Sequence, residues 1–373
     1  MKFSIQSKLL LSHLSAASKV VNSKNTVTIL ENFLFKLEGG KLTITCSDLE
    51  TTLTTSIEVQ GAEGGGCFAA KVSTLLELLK ELPDLGLEFD INDETLEIII
   101  KYFNGRFNLV GVNGDEFPQK AQSEGETKTL VIPAERLVSG IEHTLFAVST
   151  ETLRPMMTGI FWDIKPEEIV FVSSDTHKLV RYRELDVKPG FEGSFILPSK
   201  PASILSSIFD KKEGNVEVTM DSKSATFSTE DYSLTCRFVN GKYPNYNSVI
   251  PQNTIYSLTV DRSTLLNALR RVSVFADSTS GEVRLQLNNN EIFMSTIDIN
   301  FSTSAEEKVQ CEYDGQDMVI GFNDSNIIEV LKNIDSDNVV VKLLDPLRPG
   351  IFLPSEQKEN EELLILLVPM RIN

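Results

Sequence analysis

Amphipathic segments recur along the chain at a fixed interval. Apolar positions three, four and seven apart predict a helix over Ser7–Lys24, with Leu10, Leu14, Ala17 and Val21 on one face. The same spacing returns in Ala134–Ser149, through Leu137, Ile141 and Val148, and in Asp261–Asp277, through Leu265, Leu269 and Val272. Leu10, Leu137 and Leu265 lie 127 and 128 residues apart. Each helix follows a short strand, at Lys2–Ile5, Leu130–Ile132 and Ser257–Val260. A second helix is predicted in mid-repeat over Val72–Leu82, Lys200–Phe209 and Asp324–Asn333, with Ser73, Ser199 and Asn323 as capping residues.

Between the helices the period drops to two, as in Leu87-Glu-Phe89-Asp-Ile91 and Val216-Glu-Val218-Thr-Met220, which predicts half-buried strands. Three alternating runs end at an aspartate: TITCSDLETTL at 43–53, FVSSDTHKLVRY at 171–182 and FMSTIDINF at 293–301. Asp48, Asp175 and Asp298 are 127 and 123 residues apart. Each repeat closes on Pro118, Pro244 or Pro369, 126 and 125 residues apart, where a residue without an N–H suits the end of a strand. Self-similarity of this kind outranks any single motif as a guide to architecture. The expected fold is α+β, three repeated domains of two helices on antiparallel sheet, at 1–125, 126–252 and 253–373. Only the middle aspartate run carries His177, Lys178 and Arg181, so the repeats share a fold and differ in use.

Composition adds limits. At 41% hydrophobic and 24% charged residues the chain has an ordinary globular balance. The opening segment is broken by Lys8, His13 and Lys19, unlike a signal peptide, and the longest apolar run, Leu363–Val368, is too short to span a bilayer. A cytoplasmic protein without a membrane segment is expected. Cys46, Cys67, Cys236 and Cys311 are scattered, which predicts buried, reduced thiols and, with three distant histidines, neither a metal site nor a cofactor.

Charge is uneven. Taken with their flanking residues, as 7–24, 71–81, 134–149, 199–212, 261–277 and 323–333, the six helical windows carry +4 of a net charge of −18, leaving −22 on the rest of the chain. Helices gathered on one surface would hold a polyanion that the rest of the protein repels. Ser173, Ser174, Asp175 and His177 supply the residue types of a serine hydrolase, but they crowd into five positions with no nucleophile elbow. No phosphate-binding loop or dinucleotide fingerprint is present. No catalytic residue is assigned. The last segment, EELLILLVPMRIN at 361–373, is apolar where chain ends are usually polar; half of its side chains suit a docked strand and the other half an adaptable peptide groove.

These residues resemble the bacterial replicative sliding clamps, the DNA polymerase III beta subunit family. The resemblance rests on the opening MKF, Thr26–Asn32, SDTHKLV at 174–180, NGKYPNYNSVIP at 240–251, IGFN at 320–323 and VPMR at 368–371. It implies two chains closing head-to-tail into a ring around duplex DNA, held without sequence preference. It implies a peptide cleft at Met157, Thr176, His177, Lys178, Leu179, Pro244, Val249, Asn323, Leu366, Val368 and Met370. The replicative polymerase catalytic subunit, the clamp loader, repair polymerases and mismatch-repair proteins would dock there through short linear motifs. Thr176 stands where the family usually has Gly, and Val368 where it usually has Met. Phe107 and Leu109 would meet Val274 and Phe275 across the homodimer joint, supported by Glu306 and Glu307, while Phe301, Thr303 and Ser304 depart from the family's acidic pattern. Lys24 and Lys200 match DNA-contacting positions, and Arg270 and Arg271 join them by helix placement. The alternative is a repeat-built scaffold that binds only proteins.

Overall fold

The computed structural model describes residues 1–22, 27–118, 125–288 and 290–372. Each repeat contributes two α-helices: α1 (Ser7–Ser18) and α2 (Val72–Glu81), α3 (Ala134–Leu145) and α4 (Ser199–Phe209), α5 (Arg262–Ser273) and α6 (Asp324–Lys332). The first helix of each repeat is shorter than its apolar periodicity predicts. In α1 the bonds tighten after Ser18, with the N–H of Lys19, Val20 and Val21 each reaching back three residues. The β-branched pair Val20–Val21 and then Asn22 disfavour continuation. Asn323 caps α6 as expected, its side chain accepting from the Asn326 N–H. Ser73 does not cap α2: the strand runs straight into the helix at Lys71, and Ser73 lies inside it.

The strand pairings among the described residues are antiparallel, in four sheets. Contacts divide the chain into two compact units, 1–138 with 200–238 and 139–199 with 239–373, so the second repeat is shared between them. The first unit holds a five-stranded sheet, with β3 (Gly105–Val110) at its edge, and a nine-stranded one. In the nine-stranded sheet, β1 (Lys41–Ser47) and β2 (Thr51–Glu58) of the first repeat continue into β6 (Tyr232–Arg237) of the second, Leu234 opposite Leu53. The second unit repeats the plan. There β4 (Glu168–Ser174) and β5 (Lys178–Glu184) of the second repeat continue into β9 (Glu361–Leu367) of the third, Leu179 opposite Leu366. Its other sheet has four strands, with β8 (Thr303–Gln310) at the edge beside β7 (Glu291–Asp298).

Aromatic side chains fill both interiors, Phe33, Phe35 and Phe68 in the first unit and Trp162, Phe171 and Tyr182 in the second. Gly140 lets α3 approach the sheet, since a Cβ there would stand 2.7 Å from the Phe171 ring. Cys46 and Cys236 are buried as expected; Cys67 and Cys311 are only half-buried, Cys67 on a strand next to a sheet edge and Cys311 just after the edge strand that ends at Gln310.

Candidate peptide-binding cleft

The Asp175 turn is built from its own side chains. Asp175 Oδ1 accepts from the N–H of His177 (2.9 Å) and Lys178 (2.8 Å), and Ser174 Oγ donates to the Lys178 carbonyl (2.9 Å). This closure forces Thr176 into the left-handed region, at φ 78°. A β-branched residue sits there at a cost, which explains why glycine suits the position.

Lys178 seals the turn to α6. Its Nζ donates to Asp175 Oδ2 (2.6 Å), Asn326 Oδ1 (3.2 Å) and Glu329 Oε2 (2.9 Å), which uses all three ammonium donors. Burial disfavours its charge, but the bonds to Asp175 and Glu329 outweigh that and raise its pKa above the ordinary lysine value.

Beside this turn lies a cavity of about 320 Å³. Met157, Thr176, Lys178, Leu179, Pro244, Val249, Leu366 and Val368 line it, eight of the eleven residues expected. Behind it Val170, Val172, Ile196, Ile250 and Ile351 form a buried apolar cluster. A mostly apolar hollow of this volume with a few convergent polar groups is the usual form of a ligand site.

His177, Asn323 and Met370 do not line the cavity. The chain leaves the sheet after Leu367: the Val368 N–H bonds the His177 carbonyl (2.8 Å), and Met370 crosses to bond the Gly321 carbonyl (2.8 Å). That crossing carries Met370 away from the hollow. His177 acts through its backbone while its side chain is exposed. Asn323 is occupied as the α6 cap and donates to the Ser280 carbonyl (3.0 Å).

The cavity has walls that the expected set lacked: Ser174, Tyr243, Asn245, Tyr246 and Pro349. Tyr243 stacks on Phe161 with ring centroids 4.7 Å apart, and the Tyr246 hydroxyl donates to Asp163 Oδ2 (2.7 Å). Burial pushes both phenols well above the ordinary tyrosine pKa, so they stay neutral. Their signal was present in NGKYPNYNSVIP, where two tyrosines flank Pro244-Asn245. The hydrolase alternative meets a simple obstacle, since the Ser173 and Ser174 hydroxyls donate to the backbone carbonyls of Thr144 and Lys178.

Family models for the N-terminal, central and C-terminal domains of the DNA polymerase III beta subunit match residues 1–121, 131–245 and 247–371. The chain belongs to this family. It is 26% identical to the beta sliding clamp of Bacillus subtilis and 28% identical to that of Treponema pallidum, each over the full length of both chains. The solved sliding clamp of Pseudomonas aeruginosa bound to griselimycin superposes with a TM-score of 0.93 at 25% identity, again covering both chains completely. The three-domain clamp fold and the role of sliding clamp in DNA replication follow from this membership.

Other residues that the clamp resemblance singles out fare unevenly. Lys200 donates to the Val20 carbonyl, Asn22 Oδ1 and Asp48 Oδ2, each at 2.6 Å. These bonds engage its three donors and fasten α4 to the Asp48 turn. Arg271 is paired with Glu307, which also occupies that glutamate inside the chain. Arg270 is exposed on α5, and Lys24 lies outside the described residues. Phe107 and Leu109 are half-buried on the edge strand β3, while Val274, Phe275 and Glu306 are exposed. Among the described residues no helix is long and apolar enough to cross a membrane.

Proposed function

We propose that two copies close head-to-tail around duplex DNA and that the cleft captures short apolar segments of the replicative polymerase, the clamp loader and repair proteins. The chain acts in the cytoplasm as a tether and catalyses nothing itself. The observation that carries this reading is the 320 Å³ apolar cavity at the seam of β5 and β9, backed by a rigid cluster and edged by exposed Val249 and Val368. The griselimycin-bound relative is a protein of this family with a ligand site, and we assign ligand capture here to the cleft.

Sheet arithmetic supports the closure. Two nine-stranded sheets each join consecutive repeats, and the remaining five-stranded and four-stranded sheets would together make a third of the same size. Their free edges, β3 and β8, carry unpaired backbone groups that template strand pairing.

Val249→Asp with Val368→Asp tests the cleft without touching the core. Affinity for a polymerase-derived peptide, read by fluorescence anisotropy, should fall about a hundredfold with the melting temperature unchanged. Unchanged affinity would place the site elsewhere. Closure is tested by retention on nicked circular DNA in high salt and loss when the circle is cut. A protein-only scaffold would show no such retention.

A further inference from the structure

The Asp turn occurs three times with the same side-chain bonds and three settings; the residue after the aspartate is left-handed in the first two, Leu49 and Thr176, while in the third the left-handed residue is Ser302. Asp48 Oδ1 accepts from the N–H of Glu50 and Thr51, Asp175 Oδ1 from His177 and Lys178, and Asp298 Oδ1 from Asn300 and Phe301. In the first two settings a lysine staples the turn to the second helix of the following repeat. Lys200 of α4 bonds Asp48, and Lys178 joins Asp175 to Asn326 and Glu329 of α6. In both, the sheet also continues into the following repeat.

Among the described residues no further repeat follows the third turn. Its tip carries two apolar residues, Ile299 and Phe301, 81% and 76% exposed, where the first turn has one, Leu49 at 51%, and the second none. Ser302 is left-handed at φ 53°, and Asn300 Nδ2 bonds Asp277 Oδ2 (3.2 Å), which fixes the tip to the segment after α5 that bears Val274, itself 77% exposed. Two large apolar side chains held outward by a rigid turn are unusual on a surface without a partner. The second helix of the first repeat, α2, has Ser73 where α4 has Lys200, both being the second residue of their helices, so the lysine that holds the Asp48 turn has no counterpart at that position.

We propose that Ile299 and Phe301 form an apolar staple that docks on the first repeat of a second copy of this chain, against the first turn of α2 and the edge strand β3, in place of the lysine staple of the two internal joints. The proposal rests on the head-to-tail reading above. The internal joints say what covers the tip, since in each the Asp turn meets the second helix of the next repeat. Because each copy carries a net charge of −18, added salt screens repulsion between copies and leaves an apolar contact intact.

The experiment is sedimentation velocity on the full chain at about 0.05 and about 1 M NaCl. The parent should be a dimer whose Kd is unchanged or tighter at the higher salt. Ile299→Ser with Phe301→Ser should raise Kd by about thirtyfold at both salts, with the monomer's melting temperature unchanged because both side chains are already exposed. Val274→Ala with Phe275→Ala is the control for the shared interface. A parent that is monomeric at tens of micromolar overturns the head-to-tail reading together with the staple. A dimer that the control variant weakens, while the Ile299/Phe301 variant keeps the parental Kd, overturns the staple alone. A parental Kd about tenfold weaker in high salt also overturns it, since that marks an ionic joint.

Discussion

The hairpin of β1 and β2 and the hairpin of β4 and β5 are the same object with different outer faces. Adding 127 to each number superposes them: Thr45 pairs with Thr54 in one register, and Val172 with Arg181 in the other. Both bury the inward face, Leu42 and Ile44 in the first, Ile169 and Phe171 in the second. Outward, the first carries a hydroxyl ladder, Thr45 to Thr54 at 3.2 Å and Ser47 to Thr52 at 2.9 Å. The second has Val170, Val172 and Leu179 where the first has Thr43, Thr45 and Thr52, and Tyr243 and Tyr246 of 239–250 pack against them. Hydroxyls satisfied in pairs suit a face that meets water; unsatisfied apolar area asks for a lid or a ligand. Three side chains thus turn a solvated sheet face into the back wall of a cleft.

The two lysine staples give the largest expected contrast. Lys178 is 6% exposed and Lys200 35%, so the same deletion costs differently. Lys178→Met should lower stability by about 2 kcal/mol, since a buried ammonium that bridges Asp175 and Glu329 is lost, and Lys200→Met by about 1 kcal/mol, since its ammonium is partly solvated although Asp48 is only 8% exposed. Urea unfolding measures both, and equal losses would break the contrast.

Exchanging the outer faces comes next. Val172→Thr with Leu179→Thr should weaken peptide binding about thirtyfold, or about 2 kcal/mol, by anisotropy. The reverse exchange, Thr45→Val with Thr52→Leu, should create no peptide binding, because it adds apolar area without the wall that Tyr243 and Tyr246 supply in the second hairpin. Binding by that variant would show the wall alone to be sufficient.

Acid should separate the hairpins by a smaller margin. Glu168 holds Lys165 and Arg183, each at 2.7 Å, where the first hairpin has Lys41. Burial would raise its pKa, but the two cations hold it below the ordinary glutamate value of 4.5. A lowered folded pKa contributes stability above the unfolded value and loses it as pH falls through the folded one. Acidification below about pH 4.5 should therefore lower the melting temperature of the parent more than that of Glu168→Gln, by less than about 1 kcal/mol in total. Parallel acid profiles would remove the pair from the account. The smallest effect belongs to the turns, with Leu49 at φ 76° and Thr176 at φ 78°. Leu49→Gly and Thr176→Gly should each add about 0.5 kcal/mol, strain relieved less glycine's greater unfolded entropy. Loss of stability in either would contradict the left-handed assignment.

What the sequence by itself determined is whatever depends on neighbours within a few residues. Helical spacing around Leu10, Leu137 and Leu265, alternation in the strands, the closing chemistry of Asp48, Asp175 and Asp298 and the cap at Asn323 are of this kind. Repetition amplified those local signals into a three-domain fold. Of the eight cleft residues, Thr176, Lys178, Leu179, Pro244, Val249 and Val368 were legible because they lie in motifs that carry the family resemblance; Met157 and Leu366 lie outside those motifs and came from the resemblance along the whole chain. The tertiary structure decided matters that depend on distant partners. Lys200 is a cation in any reading, but whether it keeps a free donor depends on Val20, Asn22 and Asp48, up to 180 positions away. Met370 continues an apolar strand in sequence, yet the bond to Gly321 turns it out of the cleft. Tyr243 and Tyr246 look like strand-end aromatics until their packing on Phe161 and Asp163 makes them a wall. The second repeat, continuous in sequence, divides between two compact units because strand pairing with its neighbours outweighs its own internal contacts.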